Sequence, residues 1–197
     1  MTGSVKTFTL ADGQTAMVRQ PTVDDAEALT HFLGDLPPME QACLRYDATD
    51  LRATQRRLLH LDGENHFRII VEVETLIIGD LTLDREPYGW THHVANMRGV
   101  VAPGKYEVEA SAILFREGCR LAEDVAIERL MALVLPQHTR LVATLEQTGF
   151  IFESQLKGFA KDGLNQLSDL LVYSNDLEKV WKQAEAIMLQ MDIRMEG

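Results

Sequence analysis

The sequence predicts an α/β (α+β) fold, a mixed and mostly antiparallel central sheet flanked by helices. Three observations carry that expectation. Two segments rich in β-branched residues, 67–73 and 76–83, are separated only by Glu74 and Thr75, so they pair as an antiparallel hairpin. A strand over 92–101 leads through a short loop into a stretch where Ala110, Ile113, Leu114, Leu121, Ala122 and Val125 recur at helical spacing, and then into a strand over 130–135. That strand–helix–strand order, fed by an antiparallel run, needs a sheet of mixed sense with helices packed against it.

The remaining elements follow in order. Residues 5–10 and 15–19 flank Asp12-Gly13, a strong hairpin signal. Thr22 then caps a helix with Asp24 and Asp25 at its positive end and Val23, Ala26, Leu29, Phe32 and Leu33 on one face. Gly34 and Pro37-Pro38 end it. Residues 39–62 mix basic, acidic and apolar types, with Leu51, Leu58, Leu59 and Leu61 on a second helix after Thr49 or Asp50. Residues 87–89 break the chain before the strand at 92, and a helix ends at Gly149-Phe150. Segments 150–157 and 166–173 alternate as paired strands around a loop holding Lys161-Asp-Gly163. From Asp176, the residues Leu177, Val180, Trp181, Ala184, Ile187 and Met191 form an apolar stripe. The expected organisation is one domain over 1–175 and an added C-terminal amphipathic helix over 176–197, packed on the domain or on a partner such as a second copy in a homodimer.

At 197 residues the chain suits one full core. Its 19 basic residues against 30 acidic give a formal charge of −11, which argues against nucleic acid and favours a cationic substrate or protein surface. No apolar stretch approaches the ~20 residues of a membrane span, and no basic region followed by an apolar run opens the chain. Only Cys43 and Cys119 occur, neither in a metal-ligand spacing. The reading is a soluble, cytoplasmic protein of a reducing compartment, without structural disulfides or a metal site.

Several motifs recur in a telling order: Arg19-Gln-Pro-Thr-Val-Asp-Asp-Ala26, Ile78-Gly-Asp80, Val100-Val-Ala-Pro103, Gly149-Phe150, and Lys157-Gly-Phe-Ala-Lys-Asp-Gly163 ahead of Asp169-Leu-Leu-Val172. Together they resemble the GNAT acetyltransferase superfamily over residues 14–175. The stretch Tyr88-Gly-Trp-Thr-His-His93 resembles a bacterial subgroup of acetyltransferases of unsettled substrate. The resemblance implies acyl transfer from acetyl-CoA, as co-substrate, to an amine by direct attack in a cleft where the sheet splays. Gly99, Val100 and Val101 match the strand whose main chain pairs with the pantetheine arm, and Gly104, Lys105, Ala110 and Ser111 match what remains of the phosphate cradle. The superfamily loop Arg/Gln-x-x-Gly-x-Gly/Ala falls on Tyr106-Glu-Val-Glu-Ala-Ser111, a degenerate version. Glu109 and Ser111 stand at the glycine positions, Glu107 at a frequent additional glycine, and Tyr106 at the basic or amide residue.

The loop matters because helix N-terminal amides and the helix dipole attract anions, and glycines let the backbone approach them. Two carboxylates beside a pyrophosphate would repel it by about 1 kcal/mol each at a wet surface. Lys105, with Arg98 or Arg116, can offset them. The superfamily's leaving-thiolate Tyr corresponds to Leu145 and a common Asn to His138; solvent can protonate a thiolate instead. No catalytic base is assigned by motif. His92 and His93 read either as one cleft-lining base or as a polar strand-end pair, and Glu72 and Glu74 either as a water-relayed base or as solvated carboxylates. Tyr88 and Trp90 read as packing or as a substrate or partner surface; Trp181, Met188, Met191 and Met195 as intramolecular packing or docking of another chain. Two functions stay open: a GNAT-type acyltransferase acting on a small-molecule or protein primary amine, and a catalytically inactive GNAT-like module binding another ligand or a protein partner.

Overall fold

The computed structural model describes residues 5–44, 46–161 and 165–177. Its one sheet is built from β1 (Lys6–Thr9), β2 (Thr15–Arg19), β3 (His66–Val73), β4 (Leu76–Arg85), β5 (Val94–Val101), β6 (Arg129–Val134), β7 (Ile151–Lys161) and β8 (Leu167–Asp176). The spatial order is β1-β2-β3-β4-β5-β6-β8-β7, and every neighbouring pair is antiparallel except β5 with β6. The parallel pair is joined by α4 (Glu107–Asp124), as a parallel connection requires. The remaining helices are α1 (Ala26–Gly34), α2 (Pro38–Gln41), α3 (Leu51–Leu59) and α5 (Thr139–Gln147).

Strand alternation separates two cores. Gly79, Leu81 and Leu83 of β4 and Met97 and Gly99 of β5 share the face under α4, where Leu114, Phe115 and Gly118 meet them. The approach is tight: a Cβ on Gly99 would sit 2.8 Å from the Phe115 ring. On the other face Ile70 and Val100 join Leu29, Leu33 and Leu58 in a second cluster under α1 and α3. Polar residues share that second face. Arg68 and Asp80 form a buried bidentate pair at 2.6 and 2.8 Å, with the Tyr46 hydroxyl accepting from Arg68 at 3.3 Å.

The structure departs from the sequence expectations in six places. The first helix opens as a 3-10 turn over Val23–Asp25, because Asp25 turns back to accept the Thr22 amide at 2.6 Å. The short α2 follows Pro37, with Pro38 at its first position, where its fixed φ suits a helix start. Helix α4 begins at Glu107, three residues before Ala110, so both glutamates lie in its first turn and not in a loop. Glu72 is buried, not solvated, with Arg19 gripping its carboxylate at 2.7 and 2.8 Å. His92 and His93 precede β5 in a turn, where His92 Nδ1 lies 2.9 Å from the Gly89 carbonyl. Tyr88 and Trp90 do not pack: they are 87% and 97% exposed. The expected C-terminal helix lies outside the described residues beyond Leu177, which is itself buried.

Candidate functional site

The parallel pairing of β5 and β6 covers only Val94↔Arg129, Ala95↔Leu130 and Asn96↔Met131. Past that point the strands separate. The Ala102 amide donates to the Ile78 carbonyl on the β4 side at 2.8 Å, so by strand alternation Val100 also directs its main chain toward β4, while Gly99 and Val101 direct theirs into the gap. The gap is a cleft of about 260 Å³ whose walls include Gly99, Val100, Val101 and Ser111. Val100, a member of the second core cluster, borders it as well.

The N-terminal turn of α4 closes one end of the cleft. The Ala110 amide is already spent on the Tyr106 carbonyl at 2.8 Å, and Ala110 is fully buried. The amides of Val108 and Glu109 find no acceptor among the described residues, so they are the orphan donors of this helix start. Gly104, at φ +134, precedes them with open space where a Cβ would sit. Lys105 turns away from the cleft to Asp12 at 2.5 Å, with the Tyr106 hydroxyl donating to the same carboxylate at 2.9 Å. Lys105 and the Gln14 amide hold the Asp12 carboxyl down at about 2. Of the predicted cradle, the structure therefore brings Gly99, Val101 and Ser111 to the cleft, places Gly104 in the turn before it, and ties Lys105 and Ala110 to other partners.

Both glutamates of that turn are engaged. Glu109 accepts the Ala11 amide of the β1–β2 turn at 2.8 Å. Glu107 lines the cleft and is ion-paired to Arg140 in the first turn of α5. Arg140 is the cation that motif reading overlooked, because the pairing joins two helix starts 33 positions apart. Glu40 went unnoticed, and His138 was noted only as standing at the position of a common Asn. Glu40 of α2 lines the same cleft, and its Oε2, like Nε2 of His138, is a buried polar atom without a hydrogen-bond partner among the described residues. Burial lowers the His138 pKa from its ordinary 6.5, partly opposed by the charge of Glu40, so the imidazole is neutral at pH 7. Nothing in the sequence links these two, and no local motif would have found Glu40. Leu145, at the expected leaving-group position, is a fully buried core residue.

On the opposite face of the sheet a larger cavity of about 740 Å³ opens between α3 and strands β3 to β5. Val100 borders both spaces. Neither Glu72, Glu74, His92 nor His93 lines either one. Among the described residues there is no group of three or more His, Cys, Asp or Glu side chains placed to hold a metal, and no helix is long and apolar enough to cross a membrane.

No family model matches the sequence, and comparison with curated proteins finds no match. Solved structures do match. An acetyltransferase of the GNAT family from Streptococcus pneumoniae superposes with a TM-score of 0.72 at 16% identity, over 82% of this chain and 98% of that one. RimJ of Mycobacterium smegmatis, in complex with CoA-disulfide, gives 0.71 at 19% identity, over 89% and 88%. The yncA protein of Salmonella typhimurium, with its cofactor acetyl-CoA, gives 0.69 at 12% identity, over 82% and 94%. The chain has the GNAT fold.

Proposed function

We propose that this chain, built on the GNAT fold, is an acyltransferase that moves an acetyl group from acetyl-CoA to a primary amine. The observation that carries the reading is the early end of β5–β6 pairing, which leaves the Gly99 and Val101 main chain open along a cleft. Unpaired strand edges accept an extended amide-bearing chain by the same bonds that extend a sheet, which suits pantetheine. The orphan Val108 and Glu109 amides, with the α4 dipole, suit the pyrophosphate, and Arg140 can exchange Glu107 for it. The residues present thus fit the group, despite the two glutamates.

Bound acetyl-CoA supplies a thioester: the amine nitrogen forms the new C–N bond, the C–S bond breaks, and the thiolate leaves. The chain's own task is to orient the amine and take its proton. Glu40 and His138 are the groups placed for that, since each has an unpartnered buried atom at the cleft. Buried Leu145 offers no proton to the leaving thiolate, so water supplies it.

The alternative of an inactive module draws support from Glu107, whose carboxylate stands in the cleft. Titration calorimetry of acetyl-CoA separates the two. Binding in the micromolar range, about −8 kcal/mol, is expected for the native chain, with Arg140→Ala weaker by at least tenfold. No heat up to millimolar acetyl-CoA sinks the acyltransferase reading.

A further inference from the structure

We propose that the acceptor amine also carries an anionic group, a carboxylate or a phosphoryl, and that the 740 Å³ cavity beneath α3 holds it. The proposal rests on the acyltransferase reading and adds the substrate class. The cavity has the size of a small-molecule site. Five arginines line it against three carboxylates, in a chain where acids outnumber bases 30 to 19. The excess of cation is therefore local and opposite in sign to the molecule.

The carboxylates are largely committed within the protein. Asp80 is consumed by Arg68 in the buried pair, and Asp84 faces His66 at 3.0 Å; Glu86 stands at the end of β4. On the α3 side, the Arg57 guanidinium carbon lies over the Tyr46 ring, 4.3 Å from its centroid, a cation–π contact that restrains the side chain. Arg56 beside it has only a 4.0 Å approach to Asp50. A rigid guanidinium matches carboxylate and phosphate geometry with two parallel hydrogen bonds. The cavity also adjoins the transfer site. Val100 borders both, and Arg98, two residues earlier on β5, lies close enough to Cys43 on the cleft wall to act on its thiol. An acceptor anchored by its anion here can present its amine across Val100 to the cleft. A dication would meet like charge instead, against the expectation that net charge alone suggests.

The test measures thiol release from acetyl-CoA with matched probes: methionine against methioninamide, phosphoethanolamine against ethanolamine, and putrescine as the dication. The anionic member of at least one pair is expected to exceed its neutral partner at least tenfold in kcat/KM, the pair identifying carboxylate or phosphoryl, with putrescine poorest. In the double variant Arg56→Ala/Arg57→Ala, or the milder Arg57→Gln, checked as folded by thermal melting, that ratio falls at least tenfold. Methioninamide, ethanolamine or putrescine turning over as well as the anions overturns the proposal and leaves the acyltransferase reading standing. A preference that survives the variants also overturns it. If acetyl-CoA does not bind, the acyltransferase reading fails, and calorimetry of phosphoethanolamine against ethanolamine decides the anion site: selective binding lost in the double variant sustains it, and equal binding overturns it.

Discussion

Single residues carry most of the site's specification. Gly99 illustrates two demands on one position: its main chain faces the open cleft, and its missing side chain makes room for Phe115. Gly99→Ala should destabilise the chain by about 1–3 kcal/mol, because the buried ring must leave its position; denaturant unfolding with an unchanged midpoint refutes this. His138 carries a pH dependence. Its folded pKa is depressed by burial, so its share of stability is complete above the ordinary 6.5 and is lost as pH falls through the lower folded value. Between pH 7.5 and 5.5 the native chain should lose more melting temperature than His138→Gln does, and parallel curves would count against a buried neutral imidazole. Glu72 shows where residue-level reading fails. A carboxylate two positions from a hairpin turn ordinarily faces water, yet Arg19 from the neighbouring strand draws it inside.

Among the elements, the β3–β4 hairpin was legible from its apolar runs and their two-residue separation, though the residue types of its turn are unusual. Glu74 and Thr75 both adopt positive φ, 51° and 70°, the geometry of a two-residue turn that usually recruits Asn and Gly. Thr75 is β-branched and strained there. Thr75→Gly should stabilise the protein by ~1 kcal/mol, read as a raised denaturant midpoint; a lowered midpoint would show that side-chain packing outweighs the strain. Helix α4 is the converse case. Its apolar spacing predicts the body correctly, but the start lies a turn earlier, since the acidic residues that look hostile to a phosphate are also those a helix N-terminus favours. The glutamates then serve as ties, Glu109 to the first hairpin and Glu107 to α5, which pin the helix start at the mouth of the splay.

At the scale of the molecule, two layers of helix enclose a sheet whose one parallel contact opens the cleft. The Arg68–Asp80 pair lies at the floor of the larger cavity, and removing one partner leaves a buried charge uncompensated. Asp80→Ala should therefore cost about 3–5 kcal/mol, while replacing both residues together should cost less; equal losses would mean the pair is not coupled. Strand and helix order and the mixed sheet were readable from the linear chain. They depend on periodicity and on neighbours a few residues apart, which a sequence displays directly. The cleft pair Glu40 and His138, the Arg140–Glu107 tie and the gathering of arginines under α3 were not readable. Each is a meeting of side chains from separate elements, and no local pattern records which helix will lie over which strand. Even the sign of charge reversed between the two levels: composition describes the whole surface, whereas a ligand meets only the cavity that packing creates.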